Sequence, residues 1–197
     1  MRVLGTIIIM LISSLVRFYK LFFASLSREG FSENRLFRIG LKRAAWLLFG
    51  LFFFPFIIVW NHAGFVFDDL FFPGWRSVKI VKPVFLVGNA RSGTTWTHRI
   101  LAQNDRVLTS PVLWEILFAQ SVSWRVLFRW LGRIDAFFFS PANALLRCLD
   151  KATFGRSNVH PMGLWKSEED ELFMMSICYA QLMALFFPLI DTFAPLI

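Results

Sequence analysis

Seventeen consecutive residues, Ala44 to Trp60 (AAWLLFGLFFFPFIIVW), carry no charge, and this run limits what the chain can become more than any other feature. A membrane helix needs about 20 mostly apolar residues, and this run comes close to that length. Lys42-Arg43 borders it on one side and Trp60-Asn61-His62 on the other. Pro55 is expected to kink it, which a membrane helix tolerates. The run therefore predicts a membrane helix in preference to a buried core helix. Composition agrees: 56% of the 197 residues are hydrophobic, with 25 Phe and 8 Trp, against a usual ~45–50%. A second apolar stretch, Val3 to Val16, is only 14 residues long. Extended past Arg17 and Lys20 to Leu26, it predicts an amphipathic helix that lies in the interface or snorkels its charges. Residues 1–72 thus read as a membrane-associated helical region, with its apolar parts at 3–26 and 44–60.

The net charge of +8 is local. Arg17, Lys20, Arg28, Arg35, Arg38, Lys42 and Arg43 all fall between or beside the apolar stretches. Basic residues flanking membrane segments stay on the cytoplasmic side. If 44–60 spans, everything after it lies across the bilayer. No aromatic–basic reading surface or groove helix accompanies the charge, so nucleic acid is not an expected partner and the lipid bilayer is. Cys148 and Cys178 have no metal-ligand spacing, and both are expected to be buried thiols.

The chemistry is concentrated in Pro83 to Arg99, PVFLVGNARSGTTWTHR. Val84 to Val87 fit a buried strand. The turn Gly88-Asn-Ala-Arg-Ser-Gly93 follows, and Thr94-Thr95 opens a helical pattern. Such a strand, loop and helix start would aim backbone N–H groups and the positive helix end at one anion. The spacing imitates the phosphate loop GxxxxGK[ST], but Thr94 stands where the lysine belongs. That substitution disfavours a nucleotide triphosphatase, and Arg91 supplies a positive charge within the loop instead.

Ala90-Arg91-Ser92-Gly93-Thr94-Thr95-Trp96 resembles the 5′-phosphosulfate loop of the sulfotransferases, roughly P-[KR]-S-G-T-T-[WL], with Ala90 in place of the usual proline. The likeness continues in Asp68-Asp69-Leu70-Phe71-Phe72-Pro73-Gly74, Trp114-Glu115, His160-Pro161-Met162-Gly163 and Glu168-Glu169-Asp170-Glu171, in the order found in membrane-associated or bacterial sulfotransferase-like proteins. The resemblance implies an α/β fold. A P-loop-like parallel sheet with flanking helices, incomplete here, would follow the membrane-associated helices, and residues 73–197 would be the amino-terminal part of the domain. The donor would be 3′-phosphoadenosine 5′-phosphosulfate (PAPS), without a metal. Its partner would be a hydroxyl or amine acceptor. A eukaryotic protein of this kind would face the Golgi or ER lumen; otherwise the cytoplasmic membrane face is expected. The donor's 3′-phosphate site, an arginine and a serine in this family, is not recognisable before Ile197, so the chain reads as an amino-terminal fragment.

Under that resemblance Arg91, Ser92, Gly93, Thr94, Thr95 and Trp96 bind the donor, and Arg91 neutralises the leaving group. Glu115, 24 positions after Arg91, is the expected base, its alternative being a helix-start glutamate favoured by the dipole. His160, before a proline in a loop, is expected near the acceptor. His98 lies inside the helix after the loop, where it would more often cap or pack. Ser167 is expected to cap a helix over 168–187 whose first turn is acidic. The charge-free run Leu172 to Ile190 is assigned to the globular domain. Helices are predicted over 94–103, 114–119, 124–138 and 141–153, with a strand at 84–87 and an extended piece at 107–109. Two other readings stay open: a non-enzymatic membrane protein, and a degenerate P-loop nucleotide-binding protein.

Overall fold

The computed structural model describes residues 2–29, 40–89, 92–104, 106, 108–155, 162–168 and 170–178. The chain divides into two compact units: residues 1–66 with 171–197, and residues 67–170.

The first unit is built on two long helices, α1 (Arg2–Glu29) and α2 (Leu41–Phe71, whose last turns belong to the second unit). Phe18 and Leu21 on α1 and Phe54 and Ile58 on α2 are buried, and the Phe18 and Phe54 rings lie 5.7 Å apart. Their other faces are apolar and open: Ile9, Ile12, Phe23, Leu48 and Phe52 are all exposed. Leu4–Ala24 (21 residues) and Arg43–Phe71 (29 residues) are both long and apolar enough to cross a membrane. At ~1.5 Å per residue the shorter covers ~32 Å, against a hydrocarbon core of ~30 Å. The first stretch therefore passes the length test that its charge-free part alone fails. The polar residues on these helices close onto their own backbone one turn back. Ser14 Oγ donates to the Met10 carbonyl at 2.7 Å, Asn61 Nδ2 donates to Ile57 at 3.1 Å, and His62 Nδ1 lies 2.8 Å from the Ile58 carbonyl. That arrangement lets α2 run through Asn61-His62, where the sequence suggested a border. Cys178 is buried as expected and directly follows a short 3₁₀ segment (Asp170–Ile177) that stands in place of the predicted α-helix start. The rest of the Leu172 to Ile190 run lies outside the described residues.

The second unit is helical, with α3 (Thr94–Leu101), α4 (Leu113–Phe118), α5 (Val122–Phe137) and α6 (Pro141–Phe154) following a 3₁₀ turn at Pro73–Ser77. These boundaries lie within two residues of the four predicted ones. The expected parallel sheet is absent, and the α/β assignment is overturned: among the described residues there is no strand, only an isolated antiparallel bridge, Val112 to Ser167. Val84, Phe85 and Val87 belong to no regular element and are 64%, 82% and 88% exposed. Apolar, β-branched sequence fits a pleated surface, yet a strand exists only against a neighbour that offers unpaired N–H and C=O groups. The other apolar segments of the described chain are wound into helices whose backbones satisfy themselves. Cys148, on α6, is exposed, contrary to expectation.

What orders this unit is the treatment of its helix starts, whose first N–H groups lack intrahelical partners. Buried Asp68 accepts hydrogen bonds from the α5 amides of Val122 (2.8 Å) and Ser123 (2.6 Å), and Ser121 Oγ accepts from Trp124 N at 3.1 Å. Asp135 repeats the device at α6, taking Ala142 N at 2.8 Å and Asn143 N at 3.0 Å. At α4 backbone carbonyls do the same work: Leu113 N donates to Lys166 O (3.1 Å) and Trp114 N to Leu164 O (3.0 Å). The segment supplying them is tied to α6 by the Leu164 amide, which donates to Asp150 at 2.7 Å.

Candidate functional site

The glycine-bounded loop reaches α3 as a closed turn. Ser92 N donates to Asn89 O at 3.1 Å, and a Cβ on Gly88 would lie 2.6 Å from Ser92 Oγ and 2.7 Å from Thr94 Cγ2. A side chain at position 88 would displace both of those side-chain ends. Gly93 is the N-cap of α3 with φ of +86°, the left-handed region that glycine enters without a Cβ penalty. The first turn then follows, with Thr97 N donating to Gly93 O at 3.0 Å and Thr97 Oγ1 to the same carbonyl at 3.2 Å. Ser92 and Gly93 are exposed, Thr94 and Thr95 half-buried, and Trp96 is exposed. Of the donor-binding residues read from the sequence, Ser92 to Trp96 therefore sit together at one accessible helix start. The Ser92 amide is used within the turn and the Thr97 amide within the first turn of α3. Arg91 and His160 lie outside the described residues.

Glu115 stands at the third position of α4, half-buried, and its Oε2 accepts weakly from Val112 N at 3.4 Å. That is the helix-start geometry the sequence offered as the alternative to a base. Asp69, in the upstream motif, holds Arg76 by two contacts of 2.8 Å and 3.0 Å and accepts from Trp75 Nε1 at 3.1 Å. Arg76 also lies 4.6 Å over the Trp75 ring. Together with the capping by Asp68, this gives the Asp68-Asp69 pair a structural role.

A constellation the sequence did not reveal lies around the end of α3. His98 Nε2 is 2.9 Å from Ser110 Oγ, which also hydrogen-bonds Ser167 Oγ. Arg99 Nη2 is 3.5 Å from Glu168, a side chain only 2% exposed. So Ser167 does not cap a following helix; its hydroxyl turns to Ser110, 57 positions earlier. Arg99, Ser110 and Ser167 border a cavity of about 310 Å³ whose walls also include Gln103, Trp165 and Lys166. The one advance signal was His98 itself, one helical turn beyond Thr94 and so on the same face of α3.

No family model, curated protein or solved structure matches the chain.

Proposed function

We propose that this chain is a membrane-anchored sulfotransferase that grips the phosphosulfate of PAPS at the start of α3 and passes the sulfuryl group to a hydroxyl or amine acceptor. The observation carrying this reading is the Ser92-to-Asn89 hydrogen bond followed by the left-handed Gly93 N-cap, which together lead into an accessible helix start. Anions are stabilised there by backbone N–H groups and the helix dipole. The acceptor oxygen or nitrogen forms a bond to sulfur while the sulfur–phosphate oxygen bond breaks, leaving adenosine 3′,5′-bisphosphate. Arg91 neutralises the charge that builds on that leaving oxygen; it cannot act as an acid, because arginine keeps its proton. Glu115 takes the acceptor's proton, its long hydrogen bond to Val112 leaving the carboxylate able to do so, and His160 lies at the acceptor. Positioning and charge stabilisation supply most of the rate.

The exposed apolar faces of α1 and α2 support insertion in a bilayer. By the positive-inside rule the basic residues between them face the cytoplasm. The domain then faces the Golgi or ER lumen in a eukaryotic cell, or lies on the cytoplasmic membrane face without a crossing. The test is donor-product binding to the full chain in detergent. Adenosine 3′,5′-bisphosphate should protect the chain from proteolysis where ATP with magnesium does not, and Arg91→Ala should abolish the protection. Protection by both nucleotides alike would favour a degenerate nucleotide-binding loop; protection by neither would favour a non-enzymatic membrane protein.

A further inference from the structure

Neither α5 nor α6 contains a buried residue, although each carries an apolar face. On α5, Val126, Trp130, Ile134 and Phe137 recur at helical spacing and make one exposed stripe, with Arg129 and Arg133 along its edge. On α6, Leu145, Leu146 and Leu149 are exposed on one side, and Arg147 and Lys151 fall on the other. The link between the two helices is aromatic. Phe137, Phe138 and Phe139 follow one another, 80%, 62% and 98% exposed, with the first two rings 5.2 Å apart. Ser140 N donates to Asp135 O at 2.7 Å and Phe139 N to Ala136 O at 3.3 Å, the Schellman pattern that ends a helix. That pattern favours glycine at its left-handed position, yet Phe139 stands there with φ of 64°. The Asp135 carboxylate also caps α6, so one residue fixes both sides of the turn. A backbone outlier that holds a bare phenyl ring in water works against folding twice, and such features concentrate where a surface has a partner.

Charge and tethering select that partner. Residues 122–154 carry five basic side chains (Arg125, Arg129, Arg133, Arg147 and Lys151) against two acidic ones. Both acidic groups are engaged by backbone amides, Asp135 at the start of α6 and Asp150 at Leu164. Among the described residues neither Arg129 nor Arg133 pairs with a carboxylate. Basic residues bordering Trp, Phe and Leu are the composition of a helix that lies at the headgroup level of a bilayer. The same chain has two helices long and apolar enough to cross a membrane, and their insertion would hold the second unit near lipid at high local concentration.

We propose that the α5–α6 hairpin docks on an anionic bilayer surface, with its apolar stripes and the Phe137 to Phe139 tip at the headgroup–acyl boundary and Arg129 and Arg133 on lipid phosphates. This contact is additional to α1 and α2; it rests on their insertion and not on sulfuryl transfer. The native reporter is Cys148, exposed on α6, since buried Cys178 resists modification. The full chain, labelled there with bimane in detergent, is reconstituted in vesicles of phosphatidylcholine and phosphatidylserine, and insertion is scored separately by flotation after a carbonate wash. Lipids with a nitroxide near the headgroup should quench the label at least about twofold more than those with one at the acyl end. Quenched and unquenched lifetimes then give a docked-to-free ratio. Phe139→Gly should lower that ratio at least about tenfold, the scale of one exposed phenyl ring, without lowering the unfolding temperature, because glycine suits the left-handed turn. Arg129→Gln and Arg133→Gln should each lower it about fivefold, the scale of one basic residue at an anionic surface. They also decide the case should the glycine variant unfold: an unchanged ratio in both overturns the proposal. So does a parent label open to aqueous iodide, or one quenched most strongly from the acyl end. A label screened from iodide yet quenched by neither lipid would mean a protein cover, a second copy or another part of this chain, and would overturn it too. Failure of the parent to insert would overturn the membrane reading of α1 and α2 and this contact with it, whereas insertion without quenching would overturn this contact alone.

Discussion

The two units satisfy their polar groups by opposite routes. In the first unit the buried side chains of Ser14, Asn61 and His62 each return to their own helix, four residues back, to Met10, Ile57 and Ile58. In residues 67–170 the donors at helix starts are met from far away in sequence, Asp68 reaching Val122 and Ser123 across 54 and 55 positions. A helix surrounded by lipid has no water to complete its hydrogen bonds, so it closes them locally. A water-exposed helical unit can draw on remote carboxylates, and those cross-links then hold its short helices in place. The contrast teaches where each unit is vulnerable: the first to charge on its outer face, the second to loss of single carboxylates.

The strongest test of that contrast is Phe52→Asp. Phe52 is 68% exposed, so in water the change would be nearly harmless, whereas at a helix centre in lipid it costs about 3 kcal/mol. Membrane integration scored by reporter glycosylation should fall sharply; unchanged integration would remove the lipid from the account. Next comes Asp68→Ala, which removes a buried carboxylate and its two short bonds to the start of α5 and should lower unfolding stability by about 2–3 kcal/mol, read by denaturant titration in detergent. Asp135→Ala makes the same deletion at a more exposed helix start and should cost about 1 kcal/mol. Equal losses at Asp68 and Asp135 would mean that burial does not set the strength of these caps.

The smallest effect concerns the thiols. Burial pushes the Cys178 thiol up to about 12. It should resist alkylation by iodoacetamide at pH 8 while exposed Cys148 reacts, as mass spectrometry of the labelled peptides would read. Because the folded value lies above the unfolded one of about 9, this thiol's contribution to stability is present below pH 9 and is lost as pH rises from there toward 12.

Much of the helical framework was legible locally. Ser121 before α5 and Pro141 at the first position of α6 are start signals that sequence displays, and both helices begin there. The length of apolar sequence likewise announced α2. Val84 to Val87 misled because a strand is not a local object: its residues suit one, but its existence depends on a second segment. The serine–histidine group escaped for a related reason. His98, Ser110 and Ser167 are ordinary residues singly, and only the return of the 162–168 segment onto the start of α4 brings the two serines together. Gly88 and Gly93 were readable as a pair because their spacing is itself the signal, and Gly93 is held at a left-handed φ that glycine enters without strain.

The most direct measurement is equilibrium binding of adenosine 3′,5′-bisphosphate to the full chain, with Gly88→Ala beside the parent. The parent should bind, and the added methyl, which must displace the Ser92 Oγ and Thr94 Cγ2 ends from the start of α3, should reduce affinity at least about tenfold while α1 and α2 stay folded. Undiminished binding by a folded Gly88→Ala chain, or no binding by the parent, would contradict an anion held where the turn meets α3.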